Sequence, residues 1–109
     1  MKLSSENLLI AITTWPDKKN AEDFATDCIE KKVAACIQID SPCTSIYSWD
    51  NKVQKDTEFR CVIKFLPKQQ NALQNLLNKT HPYDIPEWIL LESSHVSKHY
   101  YDWAQNSLA

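Results

Sequence analysis

Apolar and polar residues recur along this chain at two periods, and each change of period marks a predicted element. Leu8-Leu9-Ile10-Ala11-Ile12 is a short unbroken apolar run, the pattern of a buried central strand. Pro16-Asp17 ends it. Asp17 stands where an N-cap would, ahead of Ala21, Phe24, Ala25, Cys28 and Ile29 at helical spacing. Lys31 and Lys32 suit the negative end of that helix. Residues 33–39 read as a second strand, which Pro42 bends or interrupts before residues 44–49 resume extended structure. Asp50-Asn51 predicts a hairpin turn, because both residues tolerate left-handed backbone. Beyond it the alternation is the clearest in the chain. Phe59, Cys61, Ile63 and Phe65 share one face, and Glu58, Arg60, Val62 and Lys64 the other.

Pro67 suits the first turn of a second helix, whose expected buried stripe is Ala72, Leu73, Leu76 and Leu77. The segment His81-Pro82-Tyr83-Asp84-Ile85-Pro86 reads as a rigid loop, since each proline fixes its own φ and restricts the residue before it. Residues 87–91 are a further strand. Val96, Tyr100, Trp103 and Ala104 mark a closing helix. The order β-α-β-β-α-β, then α, predicts an α+β, ferredoxin-like sandwich: one domain, residues 1–109, with two helices on one face of a four-stranded antiparallel sheet and an extra C-terminal helix.

Length adds one expectation. The stretch from Val33 to Trp49 would extend about 50 Å at roughly 3.3 Å per residue. A compact domain of this size has a radius of gyration of about 13 Å. The hairpin should therefore project beyond its own core. Its tip carries Ile46, Tyr47, Trp49 and Val53, and an apolar arm in water marks an association surface. Ile46, Tyr47 and Trp49 are thus expected interface residues of a homo-oligomer.

Composition narrows the function classes. The 109 residues carry a formal net charge of −2, which disfavours a nucleic-acid footprint. No apolar run approaches the roughly 20 residues of a membrane span, and a cytoplasmic location is the expectation. The chain has no glycine, which removes the Gly-rich phosphate loops. Cys28, Cys36, Cys43 and Cys61 form no CxxC pair, so a zinc knuckle is not expected. No nucleophile elbow or Ser-His-Asp context suggests an enzyme.

Several motifs together resemble one family. They are Thr13-Thr14-Trp15-Pro16-Asp17, Lys32-Val33-Ala34-Ala35-Cys36, Thr44-Ser45-Ile46-Tyr47-Ser48-Trp49, Glu58 and Lys64, His81-Pro82-Tyr83-Asp84-Ile85-Pro86-Glu87, and Tyr101-Asp102-Trp103. In this order they are similar to the CutA divalent-cation-tolerance proteins over nearly the whole chain. The resemblance implies a ferredoxin-like fold, a tight homotrimer, a cytoplasmic location, binding of copper or another divalent cation, and a role in metal tolerance. It also implies an outline shared with the PII signalling proteins, which bind small ligands between subunits. Copper-associated members carry a Cys three residues before the first-loop proline and paired His residues before the second loop. Thr13 and Thr80-His81 stand at those places here.

The candidate site residues follow. His81 is the candidate metal ligand, its other reading being a loop histidine that hydrogen-bonds backbone before Pro82. Lys64, Tyr83 and Glu87 are the candidate lining of an intersubunit cleft for a small ligand. His95 and His99, four apart, read as a solvated pair on one helical face rather than a chelate. Cys36 is expected to be packed, and Cys43, at the bend beside Pro42, exposed. Tyr47, Trp49 and Trp103 are expected in core and interface packing. Glu58 and Arg60 are expected to face outward, with Lys52 or Lys55 as cross-strand ion partners.

Overall fold

The computed structural model describes residues 1–109. Five strands and three helices follow one another as β1 (Leu9–Trp15), α1 (Lys18–Glu30), β2 (Cys36–Ile39), β3 (Cys43–Trp49), β4 (Lys52–Phe65), a 3-10 turn (Pro67–Gln69), α2 (Gln70–Thr80), β5 (Ile89–Glu92) and α3 (Lys98–Ser107). The sheet order is β2-β4-β1-β5, every pair antiparallel, with β3 joined to the outer half of β4. This is the ferredoxin-like α+β arrangement, its second strand divided at Pro42 into β2 and β3.

Local chemistry sets the boundaries. The Asp17 carboxylate accepts from the Asn20 N–H at 2.7 Å and caps α1. At the other end the N–H of Lys32 donates to the Ile29 carbonyl and that of Val33 to Cys28, at 3.1 and 3.0 Å. These two bonds make a Schellman closure, with Lys32 at φ 56° where glycine is usual. Asp50 and Asn51 likewise take φ 55° and 60° at the hairpin tip.

Several boundaries differ from expectation. β1 runs on to Trp15, because Thr13, Thr14 and Trp15 pair with Cys61, Arg60 and Phe59. β2 starts only at Cys36, since Val33 and Ala34 are spent on closing α1 and re-entering the sheet. β5 begins at Ile89 rather than 87, after Pro86. Ala72 is exposed, and α2 buries Leu73, Leu76 and Leu77.

Cys61, Ile63 and Phe65 point into a core shared with Ala21, Phe24 and Cys28 of α1 and the three leucines of α2. Burial pushes the Cys28 thiol up to about 12 and that of Cys61 up to about 11, so both stay protonated small hydrophobes. Lys64 points to the opposite face, 5.6 Å from the Tyr100 ring. There α3 contributes Ala104 to a second cluster with Leu8, Ala35 and Leu66. Trp103 is exposed on α3, outside the core of the single chain. His95 lies in the loop before α3, capped by Ser97, so His95 and His99 do not share a helical face.

The molecule measures 48 × 26 × 23 Å with a radius of gyration of 15.0 Å. The excess over about 13 Å for a compact domain of this length is the hairpin of β3 and outer β4. Ile46, Trp49 and Val53 on it are 63, 55 and 75% exposed.

Candidate functional site

The loop after α2 is tied down before it reaches the arm. The His81 N–H continues the helix to the Leu77 carbonyl at 2.8 Å. Its side chain then turns inward to 9% exposure and stacks on Trp15 at 4.2 Å. Nδ1 accepts the Tyr83 N–H at 3.1 Å. A neutral imidazole has one donor and one acceptor nitrogen, so Nε2 carries the proton and donates to the Thr14 carbonyl at 2.7 Å. Both nitrogens are thus engaged with backbone, and the ring has no lone pair free for a metal. Thr13 Oγ1 donates to the Glu87 carbonyl at 2.7 Å and pins the far end of the loop to β1. Thr80 Oγ1 donates back to Leu76 within α2 at 2.8 Å.

With both ends fixed, Tyr83 reaches across to the base of the arm. Its hydroxyl donates to Glu58 Oε2 at 3.0 Å. Glu58 is therefore not the outward-facing residue that strand alternation predicts; it is only 8% exposed. Arg60 pairs with Asp40 at 2.8 Å, and Glu58 pairs with Tyr83 rather than with Lys52 or Lys55. Burial, and then the hydrogen bond to Glu58, push the Tyr83 hydroxyl up to about 12. Further out, the Tyr47 hydroxyl donates to Asp56.

Between loop and arm lies an open cleft of about 870 Å³. Ile46, Tyr47 and Trp49 wall one side, and Pro82, Tyr83 and Ile85 the other. Asp56, Glu58, Asp84 and Glu87 supply four carboxyl groups, and no Lys, Arg or His is among the lining residues. Burial first, and then the Glu58 charge, raise the Glu87 carboxyl above its ordinary value, while Arg60 opposes them. No three His, Cys, Asp or Glu side chains converge to hold a metal ion anywhere in the chain.

Of the three residues expected at an intersubunit cleft, Tyr83 and Glu87 lie together in this cleft within one chain. Lys64 of the same chain lies six residues beyond Glu58 along β4, about 20 Å at strand rise, and donates to Gln38 at 2.9 Å. Asp56, Glu58 and the three arm residues expected at an interface also line the cleft. Period-2 alternation could not find Glu58, because its burial comes from a loop 25 residues distant in sequence.

The comparisons with known proteins agree across the whole fold. A family model described as "CutA1 divalent ion tolerance protein" matches residues 9–107. A divalent-cation tolerance protein CutA of Escherichia coli O45:K1 is 32% identical over 107 residues, covering 98% of this chain and 96% of the relative. The structure of CutA from Synechococcus elongatus PCC7942 superposes with a TM-score of 0.93 at 32% identity, over 99% of this chain and 96% of that one. That of CutA1 from the psychrotrophic Shewanella sp. SIB1 has a TM-score of 0.88 at 36% identity, over 94% of each.

Proposed function

The chain belongs to the CutA1 divalent ion tolerance protein family, and from that premise we propose that it acts as a cytoplasmic homotrimer in tolerance of divalent cations, copper among them. The observation that carries the assembly is the bare arm. Ile46, Tyr47, Trp49 and Val53 remain exposed on a hairpin that the 82–87 loop meets at its base. Apolar surface of that kind is removed from water by association, and a projecting unpaired strand is a template for another chain. The family's description concerns ions, not a reaction, which supports a role without catalysis.

Copper prefers imidazole and thiolate. The exposed Cys43 is the accessible thiol. His81 could serve only by giving up the Tyr83 N–H at Nδ1, so within one chain the donors do not fit a copper centre. Contact with the ion on this reading falls between subunits or on transient encounter. Light scattering of the purified protein should give three times the 12.6 kDa chain mass, and Ile46→Asp with Trp49→Ala should return it to the mass of one chain. A single-chain mass for the parent protein at micromolar concentration would defeat the proposal. Copper titration of the reduced parent against His81→Ala tests the ligand separately.

A second reading is favoured by the cleft itself. A concave site of this size, part apolar and with a few fixed polar groups, has the anatomy of a small-ligand site. It suits a PII-like trimer that senses a metabolite.

A further inference from the structure

We propose that the groove between α1 and the end of α2 binds an amino sugar, a ligand that offers neutral hydroxyl groups and one ammonium. No arm residue lines this groove, and the inference is independent of both assembly and copper.

A buried donor comes first. Trp15 lines the groove and is only 2% exposed. The His81 ring stacks on its indole at 4.2 Å and the Phe24 ring packs at 5.0 Å, so Trp15 meets the groove by its edge. The indole N–H, an edge group, is buried and has no acceptor within the chain. An indole nitrogen can only donate, and a buried donor left unpaired is costly. A ligand oxygen seated on the groove floor would supply the acceptor.

The wall sets the charge. Asn20, Asp23, Asp27 and Glu30 line the groove at spacings of three and four residues, so they share one face of α1. They span about 15 Å at helical rise. Asp23 already holds Lys19 at 2.7 Å, and Asp27 holds Lys31 at 3.1 Å. Glu30 belongs to none of the chain's ion pairs, which leaves one carboxylate for one ligand cation. Thr80 Oγ1 gives its proton to the Leu76 carbonyl, so toward the groove it can only accept.

These groups exclude simpler ligands. The carboxylates repel an anion. A bare metal ion finds no three ligands here, and an apolar molecule would leave the polar wall unpaired. An amino sugar answers each group in turn. Its hydroxyl oxygens accept from Trp15 and Asn20, its O–H groups donate to Asp23, Asp27 and Thr80, and its ammonium meets Glu30. The groove encloses about 490 Å³, within the size range of small-molecule sites.

The test titrates glucosamine, and glucose beside it, into the isotope-labelled full-length protein and follows the indole N–H signals by NMR. The chain has four tryptophans, and Trp15→Phe identifies the Trp15 signal by its loss. With glucosamine that signal should move downfield and saturate, as an N–H does on gaining an acceptor. Glucosamine should bind about tenfold or more tighter than glucose, and Glu30→Gln should remove that advantage. Glu22→Gln, exposed on α1 outside the groove, should leave both affinities unchanged. If Trp15→Phe fails to fold, the Asn20 side-chain amide signal reads the same titrations and Glu30→Gln carries the test. A Trp15 signal that stays still at saturation, equal affinity for the two sugars, or a glucosamine affinity untouched in Glu30→Gln would each overturn the inference. So would the lack of any saturable response, which a groove covered by a neighbouring copy would give.

Discussion

β4 is one continuous strand of 14 residues that lives in two environments. From Phe59 to Phe65 it is central, with β1 on one side and, over Cys61 to Lys64, β2 on the other. Cys61, Ile63 and Phe65 there are fully buried under α1 and α2. From Lys52 to Glu58 its partner is β3 alone, and no helix covers either face. The inner half has strands on both sides, whereas the ribbon leaves the outer edge of each of its two strands unpaired. Layers separate the halves further. A two-stranded ribbon is at best marginal in water, and this one is anchored by continuity with a buried strand. The inner half stabilises the fold, and the outer half exposes what a partner or ligand would cover.

The sharpest way to break that contrast is a pair of truncations along the same strand. Phe65→Ala removes a fully buried ring from the main core and should cost about 3–5 kcal/mol. Val53→Ala, on the arm, should stay within about 0.5 kcal/mol for the isolated chain. Denaturant unfolding measured below the association concentration reads both. Equal losses would mean that the arm is already part of the monomer's core. In the assembled protein Val53→Ala should weaken association instead.

The same division explains what was legible in the sequence. Wherever structure follows from neighbours in the chain, the pattern revealed it: the Asp17 cap, the Asp50-Asn51 turn, the leucines of α2, and the inner faces of β4. The projecting arm followed from length alone. Within one chain, Tyr83 and Glu87 belong to one rigid loop and necessarily travel together, while strand rise sets Lys64 about 20 Å from Glu58. Glu58 looked outward because alternation counts faces and is blind to a loop folding over the edge of the ribbon. His81 had two readings in the pattern, because the Thr14 carbonyl and the Tyr83 amide that engage its two nitrogens lie far from it or depend on the loop's own fold.

The two halves also close their turns differently, although neither has a glycine to use. At the arm tip Asp50 and Asn51 occupy left-handed backbone, which their short polar side chains tolerate. On the core side Lys32 does so, at the Schellman position that follows α1. Lysine has no such tolerance, so Lys32→Gly should stabilise the protein by up to about 1 kcal/mol, net of glycine's larger unfolded-state entropy. Asn51→Gly should gain less. Thermal unfolding of the two variants orders them, and a larger gain at the tip would mean that the arm is the more strained half.

The smallest effect lies where the halves meet. The Glu87 carboxyl is raised above its ordinary value of 4.5 by burial and then by the Glu58 charge. The folded chain therefore holds this proton more tightly than the unfolded chain does. The stability linked to it is fully present below the unfolded value, about 4.3. It is lost as pH rises through the higher folded value. Glu87→Gln cannot ionise, so its stability should fall less than the parent's as pH climbs from about 4.5 through that window, and the two curves should run parallel above it. Denaturant midpoints across pH 4–8 check this. Parallel curves throughout would show that solvent in the open cleft already screens Glu87 from Glu58. The cleft would then behave electrostatically like the exposed arm rather than like the core.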